Sequence, residues 1–413
     1  MKHLWIVNHY AQEPSGPGGT RHFSFARHLL EYDWKTFIIA SSCEHNTGRQ
    51  RLGDFETLRA DCVDGVDFLW LKVAFEPISV LWLRLFTMLS FAFTVLKPAT
   101  TRALPLPDLV IGSTVHPFAA LAAFFLARRY RVPFVFEVRD LWPRTLVAMG
   151  AIRERGPFDL FFGWLERWLA FRSSSVLVLM PGGIDYFHSL GIPRQRLVWL
   201  PNGAELSDFP PPPTCIKAQP FQLLYCGSHG PANALDTVLD AMAILQTRGV
   251  SSSALILRMI GDGSCKADLQ QRALDLGLSG VIFEPSVPKK VLAALISDAD
   301  GFVVAMQRLP ELYRYGISFN KLFDYFQAAR PIVSASCAAY DPVLAADAGF
   351  VVPAGDPLAL ADGIDKLRQL PYLERQRLGL NGRVYLEQNH SYPLLGQRLA
   401  SHLDSLVSHD DNR

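Results

Sequence analysis

Short, strongly apolar runs alternate along this chain with longer segments in which apolar residues recur every three or four positions, the pattern of buried strands separated by amphipathic helices. The first run covers residues 4–8. It leads through Asn8-His9-Tyr10 into a stretch rich in Gly and Pro, then into a helical pattern over 23–30. Strands follow at 35–40, 66–71, 109–111, 134–137 and 176–179, with helices between them. Regular alternation of this kind predicts an α/β fold with a parallel sheet. The pattern restarts late in the chain, with a strand from Gln222, a helix over 234–246, a strand over 254–260, a helix over 266–276 and strands at 281–283 and 301–305. Between the halves, Pro201-Asn-Gly and the prolines from Pro210 to Pro220 read as a stiff, extended connector. The expected organisation is a doubly wound domain over 1–200, a linker over 201–220 and a second doubly wound domain over 221–390. A closing helix within 391–413 is expected to pack back on the first domain.

The stretch 313–335 carries the most explicit chemistry. Gly316 and Ser318 read as loop and N-cap, a helix is predicted over 321–329, Arg330-Pro331 stops it, and Ile332-Val333 opens a strand. A glycine-preceded helix start offers free N–H groups and a positive dipole end, which suit a phosphate. Lys321 adds a mobile cation, and Asp324, one turn on, is placed to accept from sugar hydroxyls. The competing reading is an ordinary connection with a solvated Lys and Asp.

Ligands of parallel sheets bind beyond the carboxyl ends of the strands. In the first half those ends carry Ser113-Thr-Val-His116-Pro and Glu137-Val-Arg139-Asp140-Leu-Trp-Pro-Arg144. The second cluster reads either as an acceptor site or as a local ion network. A dinucleotide fingerprint is not met: Gly16 and Gly18 are followed by Arg21 where a third glycine belongs. Asp298-Ala-Asp300 reads as helix-end and turn chemistry, so no metal is expected.

Charge narrows the class. The net charge is +1, with 22 Lys+Arg against 18 Asp+Glu over 1–205 (+4) and 18 against 21 over the remainder (−3). That asymmetry is too mild for a nucleic-acid-binding protein. Six cysteines without metal-ligand spacing, and a strand beginning at His3, predict reduced thiols, no secretory leader and a cytoplasmic protein. Two helical stretches, 80–96 and 158–171, are unusually apolar and aromatic. The first carries an Arg and is slightly short for a membrane span, so an interfacial helix at the inner face of the cytoplasmic membrane is the reading of interest.

Taken with Tyr225-Cys-Gly-Ser, Ile260-Gly-Asp-Gly and Pro201-Asn-Gly, the 313–335 stretch resembles the nucleotide-binding half of the family 4 retaining glycosyltransferases, closest to those that build bacterial surface polysaccharides. The resemblance implies the GT-B fold, two Rossmann-like domains facing across a cleft. It implies a nucleotide-sugar donor, most simply UDP-linked, and a glycan or polyprenyl-diphosphate-linked acceptor. By resemblance, Gly19, Gly227, Ser228, Phe283, Gly316, Ser318, Asn320 and Asp324 bind donor. By the same resemblance His116 and Lys321 act at the reacting centre and Arg21 and His22 face the acceptor space, while Glu137, Arg139, Asp140 and Arg144 are acceptor candidates by their place at the strand ends. The family's first signature glutamate is replaced by Gly316. The Arg and Lys usual after the first strand of the second domain are missing from Ser228-His-Gly-Pro-Ala-Asn-Ala, which leaves Lys321 to carry the charge. The alternatives are a nucleotide-sugar epimerase of the same fold and a non-catalytic partner subunit.

Overall fold

The computed structural model describes residues 1–14, 20–43, 48, 50–73, 81–114, 116–206 and 220–410. Gly19, its neighbours Gly16 and Gly18, and most of the proline connector lie outside them. The chain divides into two compact units, Met1–Pro201 with Tyr392–Arg413, and Asn202–Ser391.

Unit 1 is built on β1 (Lys2–Val7), β2 (Trp34–Ser41), β3 (Leu58–Val63), β4 (Val66–Leu71), β5 (Leu109–Thr114), β6 (Phe134–Val138), β7 (Ser175–Val178) and β8 (Leu197–Trp199). They line up as β3-β4-β2-β1-β5-β6-β7-β8, and every pair is parallel except β3 with β4. The parallel strands are covered on both faces, hence their continuous Val/Ile/Leu/Phe runs. The β3–β4 hairpin was not anticipated from the sequence. Strand β3 (Leu-Arg-Ala-Asp-Cys-Val) is an edge strand, half exposed and charged, without an apolar run. Its signal was the two-residue turn Asp64-Gly65, both at positive φ (46° and 83°), a conformation that suits the twist of a hairpin. Helix α1 (Arg21–Leu29) packs against the C-terminal helix, α9 (Tyr392–Asp410), and they share a core of Leu4, Phe25, Trp34, Tyr392, Leu399 and Leu403.

Three further helices of this unit, α2 (Leu81–Leu96), α3 (Pro117–Tyr130) and α4 (Pro157–Arg172), lie side by side, α3 in contact with both others. Their outward positions include Phe86, Phe93, Phe125, Phe161 and Trp164, all exposed. No described helix is long and apolar enough to cross a membrane.

Unit 2 has β9 (Phe221–Cys226), β10 (Leu255–Ile260), β11 (Val281–Glu284), β12 (Gly301–Ala305), β13 (Ile332–Ser336) and β14 (Gly349–Pro353), all parallel, in the order β11-β10-β9-β12-β13-β14. Successive strand residues face opposite layers: Leu223 and Tyr225 join one core, Leu224 the other. Helices α5 (Leu235–Thr247), α6 (Lys266–Asp275), α7 (Asn320–Gln327) and α8 (Pro357–Gln369) belong to these layers. Strand succession runs one way from β9 to β11 and the other way from β12 to β14. The β9/β12 junction is therefore a topological switch point, where open α/β sheets bind ligands.

Candidate functional site

Helix α7 is fixed over the end of β9 by one side chain. Tyr325 lies flat on Phe302 (4.0 Å between rings), and its hydroxyl takes both backbone groups of Cys226, accepting from the N–H at 2.6 Å and donating to the C=O at 2.9 Å. One turn earlier, Lys321 is thereby carried over Gly227. A Cβ on Gly227 would stand 3.2 Å from Lys321 Cε and 3.4 Å from Nζ. The ammonium donates to Tyr225 Oη at 3.0 Å and to Asn233 Oδ1, and sits 4.6 Å from the centre of the Tyr225 ring. Burial pushes it down to about 7. Asn233 Nδ2 and Tyr225 Oη both donate to the carbonyl of Ser228, at 2.9 and 2.7 Å, shaping the turn between them.

Gly227, Ser228 and Lys321, expected to share a diphosphate seat, are brought together at the switch point. Lys321 is neither the mobile cation expected of it nor the solvated charge of the competing reading, because half-burial and two oxygen acceptors hold it in place. The charge missing from the loop after β9 is supplied in space from α7, which reaches Asn233 in that loop. Ser318 is not the N-cap. The helix begins at Asn320 behind Phe319, and Ser318 Oγ instead accepts from the N–H of Asn202 at 3.0 Å, while its carbonyl accepts from Asn202 Nδ2 at 2.7 Å. Gly316 turns the chain into this approach at φ +91°, a conformation that side-chain-bearing residues adopt with strain. Asn320 and Asp324 stand half-buried on α7, Asp324 one turn beyond Lys321.

A second loop closes against the first. Gly261 lies so near Gly227 that a Cβ would stand 1.9 Å from the Gly227 carbonyl oxygen, so only glycine fits there. Lys266, on the first turn of α6, donates to the carbonyls of Gly261 (2.8 Å) and Glu284 (2.9 Å) and to Asp262 Oδ1 (2.7 Å), tying the ends of β10 and β11 together. Glu284's carboxylate is occupied by Arg258 at 2.7 and 3.0 Å, and Phe283 beside it is half-buried. Sequence reading missed Lys266, Asn233 and Tyr225. A signal for Lys266 existed, since Gly261-Asp-Gly-Ser followed by a helix repeats the loop-then-lysine order of 316–321.

In unit 1 the expected acceptor residues divide. Arg21 is 1% exposed and donates to Glu137 Oε1 (2.9 Å) and to the carbonyls of Leu200 and Pro201. His22 Nε2 meets Glu137 Oε2 at 2.6 Å, and its Nδ1 meets Asn8 Nδ2 at 2.8 Å. Burial pushes Glu137 up, but His22 and Arg21 outweigh it and hold the carboxyl well below its usual range. Arg21, His22 and Glu137 therefore face each other rather than an acceptor. They tie α1, β6 and the chain's exit from β8 into one buried ion network. His116 is likewise inward. Fully buried, it caps α3 through Nδ1, which accepts from the Ala119 N–H at 3.4 Å, and its Nε2 meets His9 Nδ1 at 2.8 Å. A histidine at the end of a strand and the start of a helix was put to capping use. Arg139, half-buried, and Asp140 and Arg144, exposed, remain at the carboxyl end of β6.

Asp300 Oδ2 accepts from the Gln222 N–H at 2.9 Å, and Asp298 closes the preceding helix. Among the described residues no group of three or more His, Cys, Asp or Glu is arranged to hold a metal ion. A cavity of about 630 Å³ opens elsewhere in unit 2, between Arg308, Cys337 and the carboxyl ends of β13 and β14. It has none of the loop-and-lysine features of the switch point.

Two family models match the chain. One, described as a glycosyl transferase 4-like domain, matches residues 24–203; the other, described as glycosyl transferases group 1, matches 220–369. A protein of Escherichia coli (strain K12) named as a colanic acid biosynthesis glycosyltransferase, WcaL, is 24% identical over 219 residues. That match takes in 52% of this chain and 53% of WcaL, so the chain spans about half the length of this curated relative. Among solved structures, the sucrose-phosphate synthase of Thermosynechococcus elongatus superposes with a TM-score of 0.75 at 15% identity, covering 99% of this chain and 100% of that one. Anabaena HepE, solved in complex with UDP-glucose, gives 0.68 at 16% identity, covering 98% and 100%.

Proposed function

The chain belongs to the glycosyltransferases of GT-B fold, a 4-like domain followed by a group 1 domain, and from that premise we propose that it transfers a sugar from a UDP-linked donor, held on unit 2, to a glycan or polyprenyl-diphosphate-linked acceptor in surface-polysaccharide assembly. The observation that carries the donor half is Lys321 held over Gly227 at the switch point. There a diphosphate meets the backbone of the turn after β9, the N-terminal end of α7 and a desolvated ammonium. As the sugar leaves, negative charge grows on the phosphate, and donors already aimed there stabilise it without reorganisation. Asp324 takes a sugar hydroxyl, by the same reading. The configuration is retained and no metal takes part. UDP-glucose in HepE and colanic acid in the name of WcaL support donor class and pathway type.

The expected result is a saturable rise in melting temperature with one or more UDP-sugars, and transfer to a lipid-linked acceptor that persists in EDTA. Exclusive GDP-sugar binding would overturn the base assignment. A new nucleotide sugar formed without acceptor would mark an epimerase, and donor binding without turnover on any acceptor a partner subunit.

The acceptor half points to a membrane surface at the inner face of the cytoplasmic membrane. On α2, α3 and α4 the exposed charges are all arginines, among them Arg128, Arg129, Arg167 and Arg172, set among the exposed aromatic residues. The only acids on these helices, Asp159 and Glu166, are buried, and burial pushes Glu166 up to about 8, which favours its neutral form. Aromatic rings and cations on one face suit an anionic lipid interface. Vesicles containing anionic lipid should co-sediment the protein, neutral vesicles should do so weakly, and Phe161→Glu with Trp164→Glu should abolish the binding. Equal recovery with and without anionic lipid would count against it.

A further inference from the structure

His229 lies in the turn after β9, between Ser228 and Gly230, where a side chain would ordinarily face water. It is 0% exposed. Its ring meets Phe283 edge-on at 6.1 Å and Tyr225 at 5.8 Å, and a Cβ on Gly261 would stand 3.4 Å from its Cδ2. The main chain is fully engaged, with the N–H donating to the Asp262 carbonyl and the C=O accepting from the Cys265 N–H, both at 2.9 Å. The side chain is not: neither ring nitrogen has a hydrogen-bond partner among the described residues. Buried polar atoms without partners are rare, because they forfeit the hydrogen bonds they make in water. A phenylalanine or leucine would fill the same space without that loss.

The charged groups facing the ring are Lys266, Asp262 and Lys321. Burial, helped by Lys266, pushes the imidazole down to about 4, so at neutral pH it is an uncharged ring with one N–H donor and one acceptor nitrogen. Its place is informative. The ring lies against Tyr225, whose hydroxyl accepts from Lys321, and against Phe283 at the end of β11.

We propose that His229 is a positioning residue for the nucleoside diphosphate of the donor, a buried donor–acceptor pair satisfied only when the ribose–diphosphate segment lies across the turns after β9 and β10. The proposal rests on the donor reading above. In the free protein the unpartnered imidazole is a standing loss. A nucleotide that reaches it recovers the loss, so these hydrogen bonds are not merely exchanged for bonds to water.

The test compares the full-length chain with His229→Phe and His229→Gln, using melting temperature and calorimetric titration with UDP, GDP, ADP and dTDP. His229→Phe is expected to melt no lower than the native chain and to bind its nucleotide about tenfold more weakly. His229→Gln, which keeps a donor and an acceptor, should fall between. In the native chain the His229 imidazole resonances should move when nucleotide is added. A His229→Phe chain that melts lower yet binds with native affinity would make the residue structural and overturn the proposal. So would native affinity with unmoved resonances. A native chain that binds none of the four nucleotides would instead remove the donor reading itself.

Discussion

Replacing Lys321 with alanine is expected to lower kcat and donor affinity together, with kcat/KM falling by about 2–4 kcal/mol of transition-state stabilisation, roughly thirty- to a thousandfold. The reason is local. Ser228 to Ala234 contains no cation, and Lys321 is the ammonium that the fold brings to Gly227. Its pH behaviour gives a second readout. Burial holds the free ammonium at about 7, and a bound diphosphate would raise it. Binding then takes up a proton between the free and bound pKa values. Donor affinity should be flat below about pH 7 and fall above it, by up to about tenfold per unit. The alanine variant should lose that slope. Folding carries the opposite sign. The folded pKa lies below the ordinary 10.5, so the unfolded chain binds more protons between about 7 and 10.5, and this group's contribution to stability rises with pH across that window. Asp324→Asn should raise KM and spare kcat, as expected for a contact made equally before and during reaction. Steady-state kinetics from pH 6 to 9 check all of this, and native kinetics in both variants would remove the site from α7.

Glu137→Gln should destabilise unit 1 by about 3–5 kcal/mol, because it strands the guanidinium of Arg21 without its carboxylate. Arg21 and Glu137 are 1% and 2% exposed, so water cannot replace the lost partner. Asp140→Asn, three residues on and exposed, should stay within about 0.5 kcal/mol. Denaturant unfolding of the two variants makes the comparison, and similar midpoints would deny the network its structural role. Acid acts on the same groups. Glu137's folded pKa lies below its ordinary 4.5, so its contribution is present above 4.5 and is lost as pH falls through the folded value. His22 is pushed down by burial against the pull of Glu137, so the neutral ring favoured by the fold is lost as pH falls from 6.5 through its folded value. The His22 term therefore makes unit 1 less stable as pH falls below about 6.5, and the Glu137 term adds to it only below about 4.5.

The sequence by itself determined the two α/β halves and most of their elements, because strands buried on both faces must be written as apolar runs and helices as amphipathic ones. Strands 66–71 and 301–305 were legible to the residue. It also marked Gly227 and Lys321, which the fold brings together and on which the proposed donor seat rests, since a close backbone approach constrains residue type locally. It did not reveal the edge strands β3, β8 and β14, which need no long apolar run, although Asp64-Gly65 marked the turn after β3. Tertiary structure decided the rest. Whether a charged side chain faces a ligand or another side chain depends on residues far along the chain. Arg21 meets Glu137, 116 positions away, and the carbonyls of Leu200 and Pro201. The Ser318 hydroxyl accepts from the N–H of Asn202 rather than capping its own helix. The cation absent from the loop after β9 arrives on a helix 88 positions beyond Asn233. Local patterning specifies what each segment can become, but hydrogen-bond and charge partners are chosen by packing, and packing brings distant segments together.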